Sequence, residues 1–214
     1  ADALFIAPPV FARMSAITAD PKYLAAADRE WRRTAERLWV PEQRLFLRDE
    51  RFKDRIEANG QPIYWSRANA WVMAGLARWL ESMPADHPNR AYYVDIFQKL
   101  AGRILELQQD DGLWRASLLA PELYPDAETS GSGFYVYGLA WGVNHGLLDR
   151  DAYLPAIRKG WAGLNRNVLP SGLVGAAQKT GDMPVRTRPD ETGLYATGAY
   201  ILAGLEIADL SGGR

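Results

Sequence analysis

The sequence predicts an all-α protein with the architecture of an α/α toroid, in which buried inner helices are surrounded by amphipathic outer helices. Two observations carry this prediction. Helical segments of two kinds alternate along the chain, and the more apolar kind recurs at a constant spacing. A helix that is apolar all round is buried, whereas a helix with one apolar stripe packs at the edge of a core.

The amphipathic segments are expected to form the outer helices. The first places Tyr23, Ala27, Trp31 and Ala35 on one stripe, and Arg, Lys, Glu and Asp fill its other face. Steps of three and four residues keep such side chains on one side of a helix. The predicted outer helices span residues 21–39, 89–109 and 151–168.

The other segments are apolar almost all round and are expected to form the inner helices. They are rich in Ala and Gly, whose small side chains allow helices to approach closely. The first contains Pro8 and Pro9, which a helix tolerates in its first turn. The predicted inner helices span residues 7–18, 66–82, 129–147 and 192–210.

A constant spacing marks the starts of the inner helices. Asp2, Trp65, Glu128 and Glu191 stand just ahead of them, each 63 residues from the next. Such a spacing is typical of structural repeats. A closed (α/α)6 barrel has six helical hairpins, and this chain supplies about seven of the twelve helices. We therefore expect residues 1–214 to form a single toroid domain, the C-terminal part of a longer barrel.

Short apolar runs connect the outer helices to the next inner helices. They cover residues 45–48, 112–115 and 172–175, and each follows a polar or Gly-rich turn. Apolar runs of this length between turns are typical of brief strands. We therefore expect a short strand at each of these three joints.

Composition excludes several classes of function. The net charge of −1 gives no basis for a nucleic-acid partner, and no apolar run is long enough to cross a membrane. The absence of cysteine excludes thiolate chemistry and disulfides. His87 and His145 are the two histidines, too few for a multi-histidine metal site. We therefore expect no metal, no cofactor, no nucleic acid and no membrane partner.

Chemistry-bearing residues collect where the inner helices begin. Parallel inner helices bring Asp2, the segment 65–71, the segment 128–132 and Glu191 to one mouth of the toroid. Carboxylates can supply general acid and base catalysis, while indole rings stack on the C–H faces of sugars. The combination favours a carbohydrate ligand.

Each candidate also has a purely structural interpretation. Asp2 and Glu128 are at positions where an acid caps a helix and complements its dipole. Trp71 is at a core position, and Arg48 beside Asp49 is typical of a surface ion pair. The residues by themselves leave both interpretations open.

Four stretches resemble the unsaturated glucuronyl and rhamnogalacturonyl hydrolases of glycoside hydrolase families 88 and 105. They are residues 2–9 (DALFIAPP), 65–71 (WSRANAW), 108–114 (QQDDGLW) and 128–132 (ETSGS). The pair WSRANAW and ETSGS is specific, whereas the QDDGLW turn also occurs in other α/α barrels. Two positions depart from the family, with Arg48 in place of a common histidine and Ala68 in place of a common glycine.

The resemblance implies an enzyme that acts on oligosaccharides whose non-reducing end is a 4,5-unsaturated uronic acid, as left by a polysaccharide lyase of pectin or rhamnogalacturonan. An aspartate, here Asp2, protonates C4 of the double bond, water adds at C5, and the ring opens and releases the remaining sugar. The residues implied to bind substrate are Arg48, Trp65, Arg67, Asn69, Trp71, Glu128, Thr129 and Ser130. Arg67 would pair with the uronate carboxylate through two hydrogen bonds.

Two other hypotheses stay open at this point. One is a non-catalytic or degenerate sugar-binding barrel, and the other is a different α/α-barrel sugar enzyme such as an epimerase or lyase. Such enzymes typically use histidines or tyrosines at the mouth, and histidine is scarce here.

We expect a bacterial protein of the cytoplasm or periplasm. Exposed inner-helix faces predict association into a homo-oligomer.

Overall fold

A computed structural model describes residues 1–212, and this part of the chain is mostly helical. The α-helices are α1 Ala3–Thr18, α2 Lys22–Leu38, α3 Ser66–Ser82, α4 Arg90–Glu106, α5 Thr129–Asn144, α6 Arg150–Asn165 and α7 Leu194–Gly212. The all-α prediction is confirmed, and the seven segments found in the sequence correspond to these helices. Within residues 1–212, no helix combines the length and apolarity needed to cross a membrane.

The helices form two layers of a toroidal arc. Helices α1, α3, α5 and α7 make the inner layer, and each packs against the next in that order. In the outer layer, α2 packs on α1, α4 packs on α3, and α6 packs on both α5 and α7. The alternation of inner and outer helices predicted from the sequence is thereby confirmed.

The outer helices bury the apolar stripe that the sequence gives them. Trp31 of α2 is almost completely buried, and its ring meets Tyr93 of α4 edge-on at a centroid distance of 4.9 Å. Tyr93 in turn meets Trp79 of α3 at 5.7 Å. Edge-to-face contacts at these distances are favourable for aromatic rings. This aromatic cluster joins two outer helices to the inner layer.

Glycines set the closest approaches between inner helices. A Cβ atom added to Gly75 of α3 would lie 2.5 Å from the carbonyl oxygen of Leu4 in α1. A Cβ atom on Gly133 of α5 would lie 2.8 Å from that of Ala199 in α7. These two contacts require glycine, as expected from the small residues of the inner segments.

The start of α1 differs from the prediction. The helix begins at Ala3, so Pro8 and Pro9 lie inside it and not in its first turn. Proline has no N–H to donate, and Pro8 therefore cannot bond to the carbonyl four residues earlier, that of Leu4. This is the same carbonyl that faces Gly75, so it lies where the two inner helices come closest.

One of the three predicted joint strands forms. Residues Leu45–Phe46 make a two-residue strand, β2, which pairs antiparallel with β1 at Trp39–Val40. The run 112–115 forms no strand, because the backbone N–H of Trp114 is bonded to the Ser132 hydroxyl. The run 172–175 makes a single bridge between Val174 and Val168. At these two joints, the prediction of a strand was wrong.

The 63-residue spacing corresponds to the residue that precedes each inner helix. Asp2, Trp65 and Glu128 directly precede α1, α3 and α5. The fourth position shifts, because Glu191 belongs to a turn in which its N–H is bonded to Arg188 and α7 starts only at Leu194. The N-terminal ends of the inner helices therefore provide the repeated positions from which a site can be built.

Candidate active site

A pocket of about 250 Å³ opens where α1, α3 and α7 begin. The loop between α6 and α7 closes one side of it. Its lining residues are Asp2, Phe5, Ile6, Trp65, Arg67, Trp71, Thr180, Gly181 and Tyr195. A larger hollow of about 560 Å³ on the outer surface is lined mainly by charged side chains of α2 and the segment 49–50. The smaller pocket is the better candidate, because small-molecule sites combine apolar and aromatic walls with a few convergent polar groups.

Asp2 presents one carboxylate oxygen to an arginine and leaves the other without a partner. Its Oδ2 accepts a hydrogen bond of 3.0 Å from Nη2 of Arg48. Its Oδ1 is buried and has no hydrogen-bond partner within residues 1–212. Asp2 has no side-chain capping bond to α1. The geometry therefore does not support the interpretation of Asp2 as a helix cap.

Arg48 lies behind Asp2 and not on the pocket lining. Its Nη1 donates to Asp49 at 2.9 Å, so the guanidinium bridges two carboxylates. Hydrogen bonds from Arg51 lower the pKa of Asp49 to about 2, which keeps Asp49 ionised at neutral pH. The structure shows Arg48 as a hydrogen-bond partner of Asp2, and its contact with substrate stays a prediction.

Aromatic rings form the wall next to Asp2. The ring of Phe5 lies 4.6 Å from that of Trp71, and Trp71 lies 4.4 Å from Phe134. Trp71 is only partly buried and lines the pocket. Its indole therefore presents an apolar surface to the pocket next to Asp2, and its contact with substrate stays a prediction.

Arg67 is buried between two rings. Its guanidinium carbon lies 4.6 Å from the ring centre of Trp65 and 4.7 Å from that of Tyr195. Nη1 donates to the Ser130 hydroxyl at 3.2 Å and to a backbone carbonyl of the α6–α7 loop at 2.5 Å, and Nη2 donates to the Lys179 carbonyl at 2.8 Å. A bidentate bond to a uronate would displace these contacts. Arg67 therefore supplies a fixed positive charge to the pocket while it holds the loop.

The structure does not bring four of the predicted substrate-binding residues to the pocket surface. Asn69, Glu128, Thr129 and Ser130 are completely buried, and none of them lines the pocket. Asn69 exchanges two hydrogen bonds with the backbone of Phe46, at 2.7 and 2.9 Å. These contacts attach α3 to β2 and correct the expectation that Asn69 touches substrate.

Glu128 and its neighbours hold the start of α5. The Glu128 carboxylate accepts hydrogen bonds from the N–H groups of Ser130 and Gly131 and from the Ser130 hydroxyl. Thr129 donates to the carbonyl of Gly175 at 2.7 Å. The capping interpretation of Glu128 therefore fits the structure, and substrate contact by these residues does not.

Sequence reasoning missed the contribution of the α6–α7 loop and of α7. Thr180, Gly181 and Tyr195 line the pocket, and Gln178 is buried behind it. Tyr195 lies four residues after the repeat position Glu191, which is the signal that could have found it. The loop residues have no periodic pattern, so the sequence offered no comparable signal for them.

Metal ligands do not gather in this site. Within residues 1–212, no group of three or more His, Cys, Asp or Glu side chains is arranged to hold a metal ion. The polar side chains on or next to the described pocket are the carboxylate of Asp2, the guanidinium groups of Arg67 and Arg48, and the hydroxyl groups of Thr180 and Tyr195.

Comparison with known proteins gives concordant similarities. The model of the family described as Glycosyl Hydrolase Family 88 matches residues 1–211. A protein of Formosa agariphila named unsaturated 3S-rhamnoglycuronyl hydrolase is 46% identical over 98% of this chain.

Two solved structures share the fold over almost the whole chain. A glycosyl hydrolase family 88 protein from Bacteroides vulgatus superposes with a TM-score of 0.92 at 33% identity over 96% of this chain. A structure named polysaccharide lyase BACCELL_00875 superposes with a TM-score of 0.94 at 32% identity over all of it. The chain spans 57% of the Formosa protein and 61% and 62% of the two solved chains.

Proposed function

The chain belongs to Glycosyl Hydrolase Family 88, and from this membership we propose that it removes a 4,5-unsaturated uronic acid from the non-reducing end of lyase-generated oligosaccharides. One observation carries the proposal. The carboxylate of Asp2 lies on an aromatic-walled pocket, with Oδ2 bonded to Arg48 and Oδ1 without a partner in the described chain.

Asp2 is proposed as the general acid and base. In its protonated form it delivers a proton to C4 of the double bond, and water adds at C5 as the carboxylate accepts a proton in return. The product is a hemiketal at C5. It opens to a ketone at C5, and the hemiacetal left at C1 then releases the remaining sugar chain. Arg48 at 3.0 Å stabilises the carboxylate formed when the proton leaves.

The remaining pocket groups are proposed to bind the unsaturated ring. Trp71 and Phe5 provide an apolar face, and the indole of Trp65 lies next to the buried charge of Arg67. A uronate carries a negative charge, so a fixed guanidinium beside the pocket favours it over a neutral sugar. Arg67 is thus proposed to act through its charge and not through a bidentate bond.

The name of the Formosa relative suggests the first substrate to test. That protein is named unsaturated 3S-rhamnoglycuronyl hydrolase. We propose an unsaturated rhamnoglycuronyl oligosaccharide as the substrate of this chain, in preference to pectin fragments. The cytoplasm or periplasm stays the expected compartment.

Self-association also stays a prediction. Large apolar side chains are exposed on α1 and α7, among them Ile6, Ile17, Leu194, Ile201 and Leu205. Exposed apolar surface of this kind supports association between protein surfaces.

A second candidate is a lyase, favoured by the name of the BACCELL_00875 structure. The two reactions change the same chromophore in opposite directions, because a lyase creates the conjugated double bond and the proposed hydrolase consumes it. Ultraviolet absorbance therefore falls for a hydrolase acting on unsaturated oligosaccharides and rises for a lyase acting on the intact polysaccharide. A sugar-binding protein changes neither signal.

Asp2→Asn tests the assignment of the catalytic acid. Asparagine keeps the size of the side chain but cannot donate the proton, so we expect kcat to fall by about 10³-fold, within the usual range for general acid catalysis. The loss of double-bond absorbance measures the rate. Asp95→Asn is the matched control, because Asp95 forms an exposed pair with Lys99 on α4. Near-wild-type turnover by Asp2→Asn would show that another group is the acid.

A further inference from the structure

Gln178 connects three walls of the pocket without lining the pocket itself. It is completely buried in the loop between α6 and α7. Its Oε1 accepts a hydrogen bond of 3.0 Å from the indole N–H of Trp65. Its backbone carbonyl accepts bonds of 2.5 Å from Arg67 and from the Tyr195 hydroxyl. All three partners line the pocket.

The remaining polar groups of Gln178 anchor it to the fold. Its backbone N–H donates to Glu128 at 3.2 Å, and its Nε2 donates to the carbonyl of Met183 at 2.8 Å. The capping carboxylate of α5 therefore fixes the backbone of Gln178, while the loop itself fixes the amide group. A side chain held at both ends can transmit a defined orientation to its third partner, the indole of Trp65.

Core packing alone does not require the bond to Trp65. The indole N–H groups of Trp31 and Trp141 are buried without a partner in the described part of the chain. These two rings pack in the core away from the pocket, whereas Trp65 lies at its wall. Rotation of the Trp65 ring would leave its N–H unpaired in a buried place, which is unfavourable.

We propose that Gln178 is a positioning residue that fixes the Trp65 indole as the support for Arg67 at the pocket wall. Trp65 is only 2% exposed, and the guanidinium of Arg67 lies 4.6 Å from its ring centre, so the bond to Gln178 preorganises the charge offered to a bound uronate. The inference rests on the proposed function, because it assigns Arg67 to uronate binding. It predicts that the Gln178 side chain acts on substrate affinity and not on the proton-transfer step.

Gln178→Met is the first variant, because it keeps the length of the side chain and removes both side-chain hydrogen bonds. We expect KM to rise about tenfold, the size of one lost hydrogen bond, with kcat changed by less than about threefold. Gln178→Asn withdraws the acceptor from Trp65 but keeps a polar group, and it is expected to raise KM equally. It provides the same test if the methionine variant fails to fold.

Gln108→Met is the matched control. Gln108 also donates hydrogen bonds through its amide to two backbone carbonyls, of Gly112 and Ala156, and it lies away from the pocket. Its loss is expected to lower the melting temperature without raising KM. If Gln178→Met and Gln108→Met change KM equally, Gln178 has no special effect on substrate affinity and the proposal is overturned.

A double-mutant cycle with Trp65→Phe identifies the bond itself. Phenylalanine has no N–H, so Gln178→Met should add almost nothing in the Trp65→Phe background. If the KM of the double variant rises by the product of the two single-variant effects, the two residues act independently and the inference is overturned. If the wild-type protein turns over no unsaturated oligosaccharide, the proposed function fails. The same cycle is then measured on the Kd of the oligosaccharide by indole fluorescence, where absence of binding or of coupling overturns the role of Gln178.

Discussion

The residues of the site differ most in whether they line the pocket or are buried behind it. Asp2 and Trp71 line the pocket, whereas Glu128 directs its carboxylate to the N–H groups of its own helix. Both acids precede inner helices at equivalent repeat positions. The sequence predicted both positions, but it could not distinguish them, because either acid can cap a helix.

Arg48→Met is expected to lower kcat by about 10- to 100-fold with a smaller effect on KM. The variant removes the cation that stabilises the Asp2 carboxylate after the proton is delivered, and loss of one such donor has effects of this order. Arg48→Lys, which keeps the charge, should retain more of the activity. The rate is measured by loss of the double-bond absorbance.

Arg51→Met is the control for Arg48. Arg51 pairs with Asp49 and Asp182 on the same face but does not contact Asp2. It is largely exposed, so its ion pairs contribute little to stability. If Arg51→Met lowers kcat as much as Arg48→Met does, the ion pairs around Asp49, and not the direct bond from Arg48 to Asp2, determine turnover.

At the scale of the elements, close helix contacts place the site residues. Helix α1 brings Asp2 and Phe5 to the pocket, and it lies directly against Gly75 of α3. The sequence predicted the small residues and the inner position of both helices. It also predicted three joint strands, of which one formed. Short apolar runs pair with whatever backbone lies beside them, and this depends on tertiary contacts.

Gly75→Ala is expected to destabilise the protein by up to about 2 kcal/mol in urea or thermal unfolding. Alanine gains up to about 1 kcal/mol in helix propensity. However, its Cβ would lie 2.5 Å from the Leu4 carbonyl and 2.8 Å from the Cα of Phe5, so α1 has to move. Overpacking of this kind costs about 1–3 kcal/mol. Because α1 carries Asp2, turnover should fall as well.

Gly198→Ala is expected to change the free energy of unfolding in the opposite direction in the same experiment. Gly198 lies inside α7, and nothing lies within 4 Å of an added Cβ atom. The substitution should therefore stabilise the protein by up to about 1 kcal/mol through helix propensity. Stabilisation by both variants would contradict the close contact between α1 and α3.

For the whole molecule, buried tyrosines couple stability to alkaline pH. Burial raises the pKa of Tyr93, Tyr135 and Tyr137 above the usual value near 10. Burial and the nearby Glu57 raise the pKa of Tyr124 to about 12. Unfolding exposes these phenols and lowers their pKa values, so ionisation at high pH favours the unfolded chain.

We therefore expect the free energy of unfolding to be unaffected by these groups below pH 10 and to fall as the pH rises towards 12. Urea unfolding at a series of pH values measures it, and tyrosinate absorbance follows the ionisation. Titration of all ten tyrosines near pH 10 in the folded protein would contradict the burial of these side chains.

The sequence by itself determined the two kinds of helix, their order and the repeat that brings their N-terminal ends to one mouth. These features follow from local periodicity, because an apolar stripe is buried wherever its helix packs. Only the tertiary structure decided which partners the side chains of the site contact. It turned Arg67 towards the α6–α7 loop, placed Arg48 behind Asp2, and bonded Trp65 to Gln178 across 113 positions of the chain. Such contacts depend on the path of a loop without periodic pattern, and most buried polar groups pair with whatever partner the fold brings beside them.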